Sequence, residues 1–234
     1  MATATKSSAS TNGRKAGSTS GRAKAKPTAE TIQKSYINYL LEEGEQPKTI
    51  YAFAKILGME EAEFYNFYSS FEAIERGVWD GYMQRTLDAL KNDTAFEGFS
   101  VREKLLAFFY THLEILREQR SYVAMRLPEL RKSQSTPFWL KGYRKNFEAF
   151  AQELISEGIY KKEIKERPML TDRYRAAMWL QLLFVLDFWA KDKSAGFEQT
   201  DAAIEKAVNF GFQLLGESAL DSAIDLAKFL WQSR

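Results

Sequence analysis

The residues of this 234-residue chain whose types and spacing suit recognition chemistry cluster between Lys48 and Ile74. Lys48, Thr49 and Lys55 precede a Leu57-Gly58-Met59 turn, and Tyr65 and Asn66 follow it. Ile50, Phe53, Ala54 and Leu57 recur at helical spacing before the turn; Phe64 with Phe67 or Tyr68 does so after it. Gly58 supplies the positive φ needed between two short crossed helices. The pattern is a helix-turn-helix, a motif whose second helix normally lies in the DNA major groove. Lys48, Thr49, Lys55, Tyr65 and Asn66 are therefore candidate DNA contacts. The second helix opens on Glu60, Glu61 and Glu63. A glutamate can accept from cytosine, but three clustered against a polyanion are repelled. Their alternative role is an acidic first turn, which the helix dipole favours.

Other chemistry finds little footing. The chain has no Cys, which excludes disulfides and thiolate metal sites, and its single histidine, His112, argues against a histidine-based metal site. There is no nucleophile motif, no glycine-rich phosphate loop and no metal-ligand spacing. The expectation is a non-enzyme with no cofactor and no metal.

Charge is unevenly spread. The formal net charge is +2, yet residues 1–28 hold six bases (Lys6, Arg14, Lys15, Arg22, Lys24, Lys26) and no acid. Residues 29–75 carry nine acids against three bases, so the region that should meet DNA sums to −6. The first 28 residues are Ser, Thr, Ala, Gly and Lys/Arg with no large apolar residue after Met1. Such a segment buries too little surface to offset chain entropy, so it is expected to be a disordered basic tail, either solubilising or a nonspecific phosphate-binding arm.

The elements that must position these groups are all helical. Thr28 to Thr31 caps a first helix with Ile32, Tyr36, Ile37, Tyr39 and Leu40 on its apolar face, closed by Gly44. Thr49 caps the next, and a third is expected over Glu60 to Tyr68. Longer helices are expected over about 71–91, 100–120 (with a Ser100–Glu103 capping box), up to 130, 138–157, 176–190, 198–215 and 217–231. Glu72 and Glu75 near the start of the long helix suit its dipole. Sustained two-residue alternation is missing, so the fold class is all-α with about ten helices. Three parts follow: the tail at 1–28, the helix-turn-helix unit at 29–75, and a larger helical domain at 76–234. No apolar run reaches the ~18 residues that span a membrane, so the expectation is a soluble cytoplasmic protein.

From Gly44 to Ile74 the sequence resembles the TetR family of bacterial transcriptional regulators. Gly44, Thr49, Phe53, Ala54, Leu57, Gly58, Met59, Phe64, Tyr65, Tyr68, Glu72 and Ile74 stand at the family's spacing without a gap. Departures fall at positions that face DNA in the family: Glu60, Glu61 and Glu63 replace small or basic residues, and Phe71 replaces a lysine. Thr49 and Tyr65 resemble the family's phosphate contacts. A shorter similarity, through Asp192, Ser194, Phe197 and Thr200, is to TetR-fold lipid-binding proteins of ubiquinone biosynthesis, which do not act as repressors.

The resemblance implies an effector region in the helices rich in aromatic residues. Phe109, His112, Tyr143, Phe147, Trp179, Leu183 and Phe184 are candidates, with Phe108 and Phe150 beside them; Asp187 could anchor a polar ligand group or pair at a subunit interface. Each also reads as ordinary core or surface. The resemblance further implies a homodimer whose last helices pair, for which Ala176, Leu180, Leu183, Val208, Phe212 and Leu215 are candidates, with Trp231 at the edge. Two functions remain open. One is a dimeric regulator that responds to an apolar small molecule. The other is a protein on the same scaffold that holds a lipid or a partner protein and does not read DNA.

Overall fold

In the computed structural model, residue 1 and residues 27–132, 136–167 and 170–216 are described. Most of the basic tail, the helix expected at 217–231 and Trp231 lie outside these residues. Thr28 starts the first helix, α1 (Ala29–Glu43): its hydroxyl accepts from the Thr31 N–H while the Thr31 hydroxyl oxygen accepts from the Thr28 N–H. Thr49 caps α2 (Ile50–Leu57) by accepting from the Ala52 N–H at 3.1 Å. Gly58 ends α2 in the left-handed region at φ 69°, where a side chain would be strained.

The third helix, α3 (Glu61–Phe64), is shorter than the expected Glu60–Tyr68. After Phe64 the bonds tighten to three-residue spacing, Asn66 N–H to Glu63 at 3.1 Å and Phe67 N–H to Phe64 at 2.9 Å. Periodicity over eight residues does not distinguish a helix from such a turn. The unit is held by an aromatic core. The Phe53 ring meets Tyr36 at 5.9 Å, Phe64 at 6.3 Å and Phe71 at 5.8 Å, each edge-on. Edge contacts of this kind add about 0.5–1.5 kcal/mol to the burial of the rings themselves.

Helix α4 (Phe71–Asn92) belongs to both halves. Phe71 and Ile74 close the small core; Val78, Trp79, Tyr82 and Met83 enter the large one. It packs on α5 (Val101–Arg117) and α7 (Lys141–Tyr160), and α7 packs on α8 (Thr171–Lys191). Helix α9 (Glu198–Leu215) lies on α5 and α8, and α6 (Arg120–Lys132) lies against α8 and α1. Short 3-10 turns at Phe96–Gly98, Phe138–Leu140 and Ala195–Phe197 join them, and the described residues contain no strand. The helix expected from Phe138 therefore begins at Lys141.

Two side chains from elsewhere in the chain set helix starts. Asp80 of α4 sits against the first turn of α7, beside Gly142 and the Tyr143 N–H; burial raises its carboxyl and that N–H lowers it in part. A Cβ on Gly142 would lie 2.8 Å from Asp80 Cγ, so glycine is needed for this approach. Between α8 and α9, Asp192 Oδ1 accepts from Ser194 N–H and hydroxyl at 2.8 and 2.6 Å. Its Oδ2 accepts from Thr200 N–H and hydroxyl at 2.9 and 2.7 Å. The Ser194 and Thr200 hydrogen bonds hold this carboxyl down to about 2. The Asp192–Thr200 similarity noted in the sequence is thus a helix-joining clasp.

Candidate functional site

The candidate DNA contacts are all exposed on the small unit. Lys48, Thr49 and Lys55 are exposed on and before α2, and Tyr65 and Asn66 are exposed after α3. Thr49 is also the α2 cap, so its hydroxyl oxygen already accepts one bond. Lys55 rests over the Tyr51 ring at 5.4 Å. The Tyr65 hydroxyl donates to Glu61 at 3.4 Å, which ties it to the acidic edge. Glu60 and Glu63 are exposed and Glu61 is half-buried, so the surface of the small unit around the turn carries three glutamates as well as Lys48 and Lys55.

Phe109, His112, Tyr143 and Phe147 are fully buried and Trp179 nearly so; Tyr143 meets His112 and Trp179, Phe147 meets Trp179, and Phe109 is joined to them through Phe108. Phe108 joins them, stacked on His112 at 5.3 Å and on Phe150 at 4.9 Å. His112 is the polar centre of this group. Thr86 donates its only hydroxyl hydrogen to the Tyr82 carbonyl at 2.9 Å, so toward His112 it can only accept. His112 Nδ1–H therefore donates to Thr86 Oγ1 at 2.7 Å, and Tyr143 donates to His112 Nε2 at 2.6 Å. Burial lowers the imidazole to about 3 and pushes the Tyr143 hydroxyl well above its ordinary value, so both are neutral near pH 7.

The remaining effector candidates lie apart from this centre. Leu183 is half-buried, Asp187 pairs with Lys191 at 2.9 Å, and Phe184 is 51% exposed on the outer side of α8. There Phe184 lines an apolar groove of about 830 Å³ between α8 and α9, with Leu180, Phe188, Ala203, Ala207 and Phe210. Leu180 and Phe210 are 64% and 62% exposed. Of the dimer candidates, Leu180, Phe212 and Leu215 line this groove and Ala176 is exposed on the same helix. Val208 is fully buried within the protomer and does not reach the outer face, because its turn of α9 points at α5 and α8.

Sequence reasoning missed the junction between the two halves. Glu75 reads as a first-turn acid suited to the dipole, yet it is buried. The Tyr36 hydroxyl of α1 donates to Glu75 Oε1 at 2.9 Å, and Arg126 of α6 pairs with its Oε2. Burial raises the Glu75 carboxyl above its ordinary value; Arg126 and Tyr36 pull part of that back. Arg126 stacks on Trp139, which meets Trp79 at 5.4 Å. At the start of α6, Arg120 Nη2 donates to the carbonyls of Trp189, Ala190 and Asp192 at 3.0–3.1 Å. One helix thus holds the end of α8 and the small unit together. The available signal was an acid inside an apolar stripe: Phe71, Ile74, Glu75 and Val78. Among the described residues no group of His, Asp or Glu could hold a metal ion, and no helix is long and apolar enough to cross a membrane.

A helix-turn-helix unit, one helix shared with the larger body, and a body that is helical with an apolar outer face among the described residues make a two-part helical scaffold. The model of the tetracyclin repressor-like C-terminal domain matches residues 104–230, more than half of the chain, and the chain belongs to this TetR family. Solved structures share the fold. A protein of Syntrophomonas wolfei assigned to the TetR-family transcriptional regulators is similar at TM-score 0.66 and 16% identity, over 82% of this chain and 96% of that one. The fatty acid degradation regulator FadR of Bacillus halodurans is similar at TM-score 0.57 and 20% identity, over 83% and 97%. A TetR-family assignment from Shewanella sp. PV-4 gives 0.60 and 13%, over 81% and 98%. No curated protein matches the chain in sequence.

Proposed function

We propose that the chain is a homodimeric transcriptional regulator that responds to an apolar small molecule. The observation that carries this is the α8–α9 groove. Leu180, Phe184 and Phe210 are each more than half exposed on one continuous apolar face, a pattern that marks an interaction surface. Regulators of this family act as DNA-binding homodimers, and a two-fold pair of helix-turn-helix units needs such an interface. A second copy of the same face is the occupant. Leu180→Glu with Phe210→Glu should turn the dimer into a folded monomer by sedimentation. A dimer that survives both changes refutes this interface.

The effector region in this reading is the aromatic interior around Phe109, His112, Tyr143, Phe147 and Trp179. Its polar centre, His112 with Tyr143, is satisfied internally and carries no charge, which favours an apolar ligand over a charged one. The name of the Bacillus halodurans neighbour, a fatty acid degradation regulator, is compatible with an acyl-like effector. A ligand that displaces α6 would move Arg126, and with it Glu75 and Tyr36, so the helix couples effector to DNA unit as a two-state element.

Glu60, Glu61 and Glu63 favour a second reading, in which the scaffold holds a lipid or a partner protein and does not read DNA. Titrating the full chain with its own upstream DNA and with unrelated duplex at several salt concentrations separates the two. A regulator prefers its own site. Binding that is equally weak on both duplexes and is lost on deleting residues 1–28 overturns the first reading.

A further inference from the structure

A cleft of about 440 Å³ opens between α1 and the turn that joins α5 to α6, away from the surfaces assigned above. Lys34 and Asn38 of α1 form one wall; Arg117, Glu118, Arg120 and Ser121 form the other. Three cations therefore line one cleft. Glu118 is its acid; it pairs with Arg85 at 3.1 Å across largely exposed side chains, so the cations of the cleft outnumber its acid by three to one. Arg117 reaches Glu114 at 3.4 Å, but both side chains are more than half exposed, so this pair constrains it little. Lys34 is exposed and has no ion-pair partner among the described residues. Arg120 cannot swing away, because its Nη2 is committed to the three carbonyls at the end of α8. The first turn of α6, a 13-residue helix, forms part of the same wall, and the first N–H groups of a helix have no partner inside it. Like charges around a shared cleft repel, and an anion between them relieves that repulsion.

We propose that this cleft binds a small metabolite through an oxyanion, a carboxylate or a phosphate. Lys34 and Arg117 supply mobile charged donors, Ser121 with the α6 first turn neutral donors, and Arg120, held on the end of α8 and over Trp189 and Phe197, a fixed positive field beside them. Such a ligand bridges the DNA-side helix α1 and the effector-side α5–α6 turn. It holds the two halves in one relative orientation and forms an input separate from the aromatic interior.

The test titrates the full chain with inorganic phosphate and, separately, with acetate, by calorimetry at constant ionic strength set with sodium chloride. The expected result is one saturable site per chain for at least one anion, with millimolar affinity or tighter. Lys34→Glu and Arg117→Gln should each weaken it by about tenfold or more while leaving the melting temperature close to wild type, since both side chains are exposed. Saturation by phosphate alone identifies a phosphate ligand, by acetate alone a carboxylate, and by both an unselective oxyanion site. Absence of a saturable site for either anion overturns the proposal. Wild-type affinity in Lys34→Glu also overturns it, because the heat then arises elsewhere, such as on the basic residues of 1–28.

Discussion

Because His112 is the only histidine in the chain and is fully buried and neutral, the histidine part of the pH dependence between pH 7 and pH 5 comes from one identifiable group. The folded imidazole is lowered to about 3 by burial, against an unfolded value of about 6.5. Above the unfolded value both states are neutral and His112 contributes nothing to the pH dependence. As pH falls below it, the unfolded chain binds a proton that the folded protein refuses, so stability is lost down to the folded value. From pH 7 to pH 5 the loss is about 2 kcal/mol, at about 1.4 kcal/mol per unit once the unfolded histidine is mostly charged. Glu75 acts in the opposite sense. Its folded carboxyl lies above its ordinary value, so protonating it at lower pH favours the folded state. The assay must therefore be a difference. Urea unfolding, followed by fluorescence of the buried Trp79, Trp139, Trp179 and Trp189, is compared for wild type and His112→Gln at a fixed protein concentration. His112→Gln should cost about 1–3 kcal/mol at pH 7, since one of Tyr143 and Thr86 loses its partner. That deficit should shrink by about 2 kcal/mol on moving to pH 5. A deficit that stays constant across this range refutes the neutral, proton-excluding histidine.

Three further outcomes follow from single contacts. Arg126→Met leaves Glu75 buried without its cation and should cost about 3–5 kcal/mol in urea unfolding, with much of that loss recovered when Glu75→Leu is added. Gly142→Ala drives a Cβ against Asp80 and should cost about 1–3 kcal/mol, relieved by Asp80→Ala in the same chain; thermal melts of the three variants check this. Thr49→Ala removes the α2 cap and should cost about 1 kcal/mol of stability. If Thr49 also meets phosphate, the same change lowers the slope of DNA affinity against salt by about one ion.

Local chemistry was legible in the sequence. Thr28, Thr49 and Ser100 cap the helices they were expected to cap, and Gly58 makes the turn, because capping and positive φ depend on residues within four positions of each other. Long-range pairing was not. Glu75 and Arg126 are 51 residues apart, and nothing in the spacing of either names the other. The buried stripe of α5 did carry His112 between Phe108, Phe109 and Leu116, but its partners Thr86 and Tyr143 come from two other helices. The expected third helix failed for a different reason: its apolar residues Phe64, Phe67 and Tyr68 fit a tightened turn as well as a helix.

Helix α8 explains why effector and interface candidates were hard to separate. Met178, Trp179, Leu182, Val185, Leu186 and Trp189 are buried on its inner side, while Leu180 and Phe184 stand exposed on the other. A helix with apolar residues on two sides is normally covered on both, and among the described residues only the inner side is covered. Sequence neighbours such as Trp179 and Leu180 point about 100° apart, so a list ordered by hydrophobicity mixes the two faces. If the outer face meets a second copy and the inner face meets the effector, one rigid helix touches both. A ligand that shifts Trp179 then shifts Leu180 as well. On the proposed reading, the distance between the two DNA units of a dimer answers to the aromatic interior through α8 directly, alongside the route through α6 and Arg126.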